Sequence, residues 1–95
     1  MDEFKMTESQ KEVSGRIFGL GCINDENSAT EIASIILKSV YGKNFDNGLP
    51  LTVSFDDKSQ EWHIKTQAPE DYESGAKYII IKKSNAEIIG IWATK

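Results

Sequence analysis

The sequence predicts an α+β domain in which one main helix packs on a four-stranded antiparallel sheet built from two successive hairpins. Two observations carry that expectation. Apolar residues recur at Ala29, Ile32, Ala33, Ile36, Leu37 and Val40, a stripe with the period of a helix, and Tyr41-Gly42 closes it. From Leu49 onward the period drops to 2, and four strand-like segments follow, separated by turn-forming residues.

The first 24 residues are the least regular. Only Val13, Ile17 and Leu20 repeat at helical spacing before Gly19 and Gly21 interrupt, so a short, weak helix is expected near residues 7–18. The main helix is expected over 27–41. Ser28-Ala-Thr-Glu31 has the spacing of a capping box, in which Ser28 accepts from an amide of the first turn and Glu31 reaches back to the cap. Gly42 is placed to take the left-handed conformation that ends the helix, with Lys38 and Lys43 near its negative pole.

Leu49, Leu51, Val53 and Phe55 alternate with Pro50, Thr52, Ser54 and Asp56, the pattern of a half-buried strand. Residues 56–60 (DDKSQ) turn the chain into 61–66, where Trp62 and Ile64 share one face and His63 and Lys65 the other. After a loop over 67–76, residues 77–83 and 87–94 form a second hairpin about Ser84-Asn85-Ala86. This hairpin is apolar on both faces, with Tyr78, Ile80, Ile88 and Trp92 on one and Ile79, Ile81, Ile89 and Ile91 on the other. One helix covers only one face. The second needs the N-terminal segment with Ile17, Phe18 and Leu20, a curling of the sheet, or another chain.

With 95 residues, two prolines and no sharp change of composition, the chain reads as one domain over 1–95, an N-terminal segment (1–24) preceding a helix-and-sheet core (25–95). A chain of that length buries roughly 60 to 65% of its unfolded surface. Fifteen acidic against eleven basic side chains give a formal charge of −4, a field that repels nucleic acid and anionic membrane and favours a basic partner. Charge of this size also serves solubility alone. The single cysteine, Cys22, excludes an internal disulfide and is expected to be a buried, inert thiol in a reducing compartment. Residues 1–10 lack an apolar segment and no apolar run approaches a membrane-spanning length, so a cytoplasmic protein without signal peptide or membrane span is expected.

The order of these elements and particular residues resemble the bacterial immunity proteins with a nuclear transport factor two-like, cystatin-like, cone-shaped fold. The resemblance runs from about Asn24 to Lys95 and rests on Ala29 with Ile32-Ala33, Tyr41-Gly42, Pro50-Leu51, Trp62-His63-Ile64, Ser74-Gly75 and Ile79-Ile80-Ile81-Lys82-Lys83. Where the family writes Gly-Thr-Leu-Pro this chain has Thr66-Gln67-Ala68-Pro69 after Lys65, and the closing His-Gly-Lys stands as Ala93-Thr94-Lys95. The resemblance implies a protein that neutralises a cognate toxin by stoichiometric binding. Such an inhibitor needs shape and charge complementarity over roughly 1,600 Å² and no reactive group of its own.

An inhibitor of a basic toxin, such as a nuclease domain that binds phosphates, presents clustered carboxylates. Two clusters are candidates: Glu70, Asp71 and Glu73 around Tyr72 in the loop between hairpins, and Asp56, Asp57 and Glu61 around the first hairpin turn. Each is equally a solvated loop or turn. His63 is the sole histidine and is expected on the strand surface, and neither a metal nor a cofactor is expected. The rival reading is an isomerase-like enzyme or small-molecule binder with a pocket between helix and sheet, but Tyr41, Tyr78 and His63 find no carboxylate at a core-facing strand position. A homodimerisation module closing the second sheet face is the third, so both monomer and homodimer stay open.

Overall fold

The computed structural model describes residues 2–42, 50–67 and 75–94. A 3-10 turn over Asp2–Phe4 precedes helices α1 (Glu8–Leu20) and α2 (Glu26–Tyr41) and strands β1 (Thr52–Asp56), β2 (Glu61–Lys65), β3 (Lys77–Lys82) and β4 (Ile88–Ala93). The strands form one antiparallel, curved sheet in the order β1-β2-β3-β4. The α+β architecture of a helix on two consecutive hairpins is therefore the one the periodicities predict.

Helix α2 lays Ala29, Ala33 and Leu37, all fully buried, on β1, β2 and β3. Two alanines at i and i+4 let the helix approach closely, and Leu37 fills the space beyond them. From the sheet, Trp62, Ile64, Ile79 and Ile81 complete the core, with Val53, Phe55 and Ile91 half-buried at its margin. Ile23, also fully buried, caps the core ahead of α2, and its carbonyl accepts the Trp62 indole N–H at 3.0 Å. The segment at Cys22-Ile23 is pinned to the β3–β4 turn, where both amides donate to the Lys83 carbonyl.

Several local expectations are corrected. The cap of α2 is Asp25, whose carboxylate accepts the Ser28 amide at 2.7 Å, and Ser28 lies inside the helix. A carboxylate at the positive end of the helix takes the capping role, so α2 starts ahead of the predicted position. The capping box lies instead on α1, where the Thr7 hydroxyl accepts the Gln10 amide and the Gln10 side chain accepts the Thr7 amide. That pair carries α1 through Gly15 and Gly19 to Leu20, and the chain turns out of the helix at Gly21, φ +95°. Cys22 is exposed, because its backbone amide and not its side chain faces the β3–β4 turn.

In β4, strict alternation fails. Ile80 pairs with Gly90 and Ile81 with Ile88, which leaves Ile89 as the extra residue of a bulge. Ile88 therefore stands opposite Ile81, on the helix side of the sheet, and not beside Tyr78 as the alternating pattern predicts. The N-terminal segment does not supply the second layer either. No residue of α1 is buried, and Val13, Ile17 and Leu20 are 51, 51 and 78% exposed.

Candidate functional site

The sheet face away from α2 gathers the polar half of every strand. Because side chains alternate, Thr52, Ser54 and Asp56 of β1, Glu61, His63 and Lys65 of β2, Tyr78, Ile80 and Lys82 of β3 and Trp92 of β4 all project from it. Thr52, Ser54, His63, Lys65, Tyr78 and Trp92 line a shallow, mostly apolar groove of about 260 Å³. Its floor is the Tyr78–Trp92 pair, directly opposed across β3 and β4, with rings stacked at 5.1 Å and 7°. Such a pair gives a flat, rigid apolar platform with a phenol and an indole N–H at its rim.

The ionisable end of this face lies at the β1–β2 turn. Asp56 and Glu61 are directly opposed, and His63 sits diagonally to Asp56. His63 Nε2 is 3.5 Å from Glu61 Oε1 and has no hydrogen-bond partner among the described residues, although the ring itself is partly exposed. Two like charges opposed on adjacent strands repel. The turn offsets this for Asp56, whose carboxylate accepts the Ser59 hydroxyl at 2.6 Å and the Lys58 amide at 3.3 Å. The Ser59 hydrogen bond, aided by the Lys58 amide and by His63, holds its pKa below the ordinary aspartate value against a partial desolvation. On the other side of β2, Lys82 stands opposite Glu61, so one carboxylate of the pair has a cation as its neighbour.

Asp56, Glu61 and His63 each offer one ligand atom, all within 4.8 Å of one another. Two hard oxygens and one imidazole are a donor set a divalent cation accepts. A sole histidine, with no second soft ligand at a recognisable spacing from Cys22, gives no metal-site spacing in the sequence, and the hairpin register is what brings these three together. Asp57, the third predicted residue of this cluster, is exposed in the turn itself. Glu70, Asp71, Tyr72 and Glu73 lie outside the described residues. The alternation places the groove residues Tyr78 and Trp92 on one apolar face of the second hairpin, and their cross-strand stacking is visible only once the β3–β4 register is known. The helix–sheet interface, where the rival isomerase-like reading places its pocket, is occupied by Ala29, Ala33 and Leu37 against Ile64, Ile79 and Ile81.

A family model described as an NTF2 fold immunity protein matches residues 28–95, more than two thirds of the chain, and so includes most of α2 and all four strands. Neither a curated protein nor a solved structure matches the chain. Among the described residues no helix is long and apolar enough to cross a membrane.

Proposed function

Because the chain belongs to the NTF2 fold immunity protein family, we propose that it binds and neutralises a cognate toxin by stoichiometric inhibition, without chemistry of its own, in the cytoplasm. The open sheet face, with no cover among the described residues, is the observation that carries the choice of surface. It combines an aromatic anchor at Tyr78 and Trp92 with a carboxylate end at Asp56, Asp57 and Glu61, the two ingredients of a centre and rim. The loop of Glu70, Asp71, Tyr72 and Glu73 belongs to the same proposal as a second acidic contact. The acidic groups favour a basic toxin, such as a nuclease domain, through steering and register more than through raw affinity.

The test is co-expression with the cognate toxin, followed by affinity measurement on the purified pair. Rescue of growth and a 1:1 complex support inhibition. Trp92→Ala should weaken the complex far more than Ile35→Ala on the outer face of α2, where Ile35 is 71% exposed. Equal effects of the two substitutions would move the binding surface off the open face, and absence of rescue by the unmodified protein would overturn the inhibitor reading itself.

A further inference from the structure

Gly90 stands in the middle of β4, where a glycine weakens a strand because it brings no side chain to pack and has more backbone entropy to lose. Its backbone does not require one. Among the described residues the glycines at positive φ are Gly21 and Gly42, and the extra residue of the neighbouring bulge is Ile89. What position 90 lacks is room. Gly90 and Trp92 lie two residues apart on the open face of the sheet, opposite Ile80 and Tyr78 of β3. The Trp92 ring stacks on Tyr78 at 5.1 Å and 7° and at the same time leans back along its own strand over Gly90. A methyl carbon at position 90 would lie 3.3 Å from Cζ3 and 3.6 Å from Cε3 of the indole. Carbon atoms pack at about 3.5 to 4.0 Å, so even alanine presses on the ring, and a β-branched side chain claims part of the volume that the six-membered ring occupies.

We propose that Gly90 is the positioning residue of the Tyr78–Trp92 platform: the missing side chain at position 90 lets the indole lie along β4 and stack on Tyr78, and a side chain there turns it out of the stack. Trp92 is 43% exposed, so no core residue holds its outer side, and the contacts with Tyr78 and Gly90 are what fix the ring. The consequence for function rests on the reading of this platform as the toxin anchor. An aromatic anchor works by offering a large area in one fixed orientation, and a ring freed from its stack must be ordered again when the partner binds. Ile80 and His63 continue the groove beside the platform, so the orientation of the indole also sets the shape of the groove that a toxin side chain meets. A glycine that costs the strand some stability is thereby explained by the ring it admits.

Proton NMR of the free Gly90→Ala and Gly90→Val proteins tests the geometry, with Trp92→Ala identifying the Trp92 resonances, and toxin affinity tests the consequence. In the unmodified protein the facing rings of Tyr78 and Trp92 should shift each other's protons upfield, and the Trp92 ring should show nuclear Overhauser contacts to the Gly90 α-protons. Gly90→Ala should reduce the upfield shifts in part and Gly90→Val should abolish them. Gly90→Val should raise the dissociation constant of the toxin complex about tenfold or more, but less than about twofold in a Trp92→Ala background, because the residue acts through the ring. Upfield shifts in Gly90→Val equal to those of the unmodified protein overturn the proposal. So does an equal loss of affinity in both backgrounds, because the side chain at position 90 would then block the groove directly. Failure of the toxin reading looks different: full affinity of Trp92→Ala removes the platform from the toxin surface, and the ring shifts of the free protein then decide the role of Gly90 by themselves.

Discussion

The Lys77 ammonium lies over the Tyr41 ring, 5.3 Å from its centroid, where the last residue of α2 meets the first residue of β3. Lys77 is only 4% exposed. Its backbone is fixed as well, since its amide donates to the Thr66 hydroxyl and its carbonyl accepts the Thr66 amide, both at 2.9 Å. The ring quadrupole and the negative end of the helix both favour a cation at this position. Tyr41→Leu keeps an apolar side chain and removes the quadrupole, so it should lower stability by about 1 to 2 kcal/mol, while Tyr41→Phe should stay close to wild type. Urea denaturation of the three proteins checks this. A Tyr41→Leu protein as stable as the wild type would show that the ring contributes only bulk.

Trp62 joins the segment before α2 to the sheet. Its ring packs on Phe55 at 4.8 Å, and its buried N–H donates to the Ile23 carbonyl. Trp62→Phe keeps much of the apolar volume and removes the donor to a residue that is fully buried, so it should cost about 1 to 3 kcal/mol. Trp62→Ala adds a cavity and should cost about 3 to 5 kcal/mol. Chemical denaturation separates the two; a Phe variant as destabilised as the Ala variant would assign the whole effect to the hydrogen bond.

Asp25 takes the capping role that the sequence predicts for Ser28 at the start of α2, and mutation distinguishes the two. Asp25→Ala should lower the thermal midpoint clearly and Ser28→Ala should lower it less. Acceptance of the Ser28 amide holds the Asp25 pKa below its ordinary value. A depressed folded pKa means the contribution is complete above the unfolded value, about pH 4, and is lost as pH falls through the lower folded value. The gap between wild type and Asp25→Ala should therefore narrow as the pH drops below about 4. A gap of constant size from pH 7 to pH 2 would contradict capping by the ionised carboxylate.

Charge reversal separates binding from folding on the proposed toxin surface. Asp57→Lys is exposed and touches no buried group, and it should leave stability within about 0.5 kcal/mol while weakening the complex. Asp71→Lys with Glu73→Lys is expected to act in the same way. Titration calorimetry against the toxin at two salt concentrations provides the measure, since steering by exposed charge is screened by salt. Undiminished affinity for the Asp71 and Glu73 double variant would remove that loop from the proposed site.

Local chemistry explains which parts of the fold could be read ahead of the structure. The stripe from Ala29 to Leu37, the alternation of Val53 and Phe55 and of Trp62 and Ile64, and the turns at 56–60 and 84–86 each depend on residues a few positions apart. Sequence pattern by itself therefore determined a helix on two antiparallel hairpins, and particular residues in that order, among them Tyr41-Gly42 and Trp62-His63-Ile64, carried the resemblance to the immunity family. Tertiary structure alone decided what those elements meet. A single bulge at Ile89 moved Ile88 across the sheet, which no period-2 count can foresee because the inserted residue is defined by its partner strand. The register of β1, β2 and β3 likewise brought Asp56, Glu61, His63 and Lys82 to one end of a face. The exposure of α1 is the third such decision. Val13, Ile17 and Leu20 state that a helix has an apolar side, but whether that side finds cover depends on distances set by residues far away in the chain, and here it remains open to solvent.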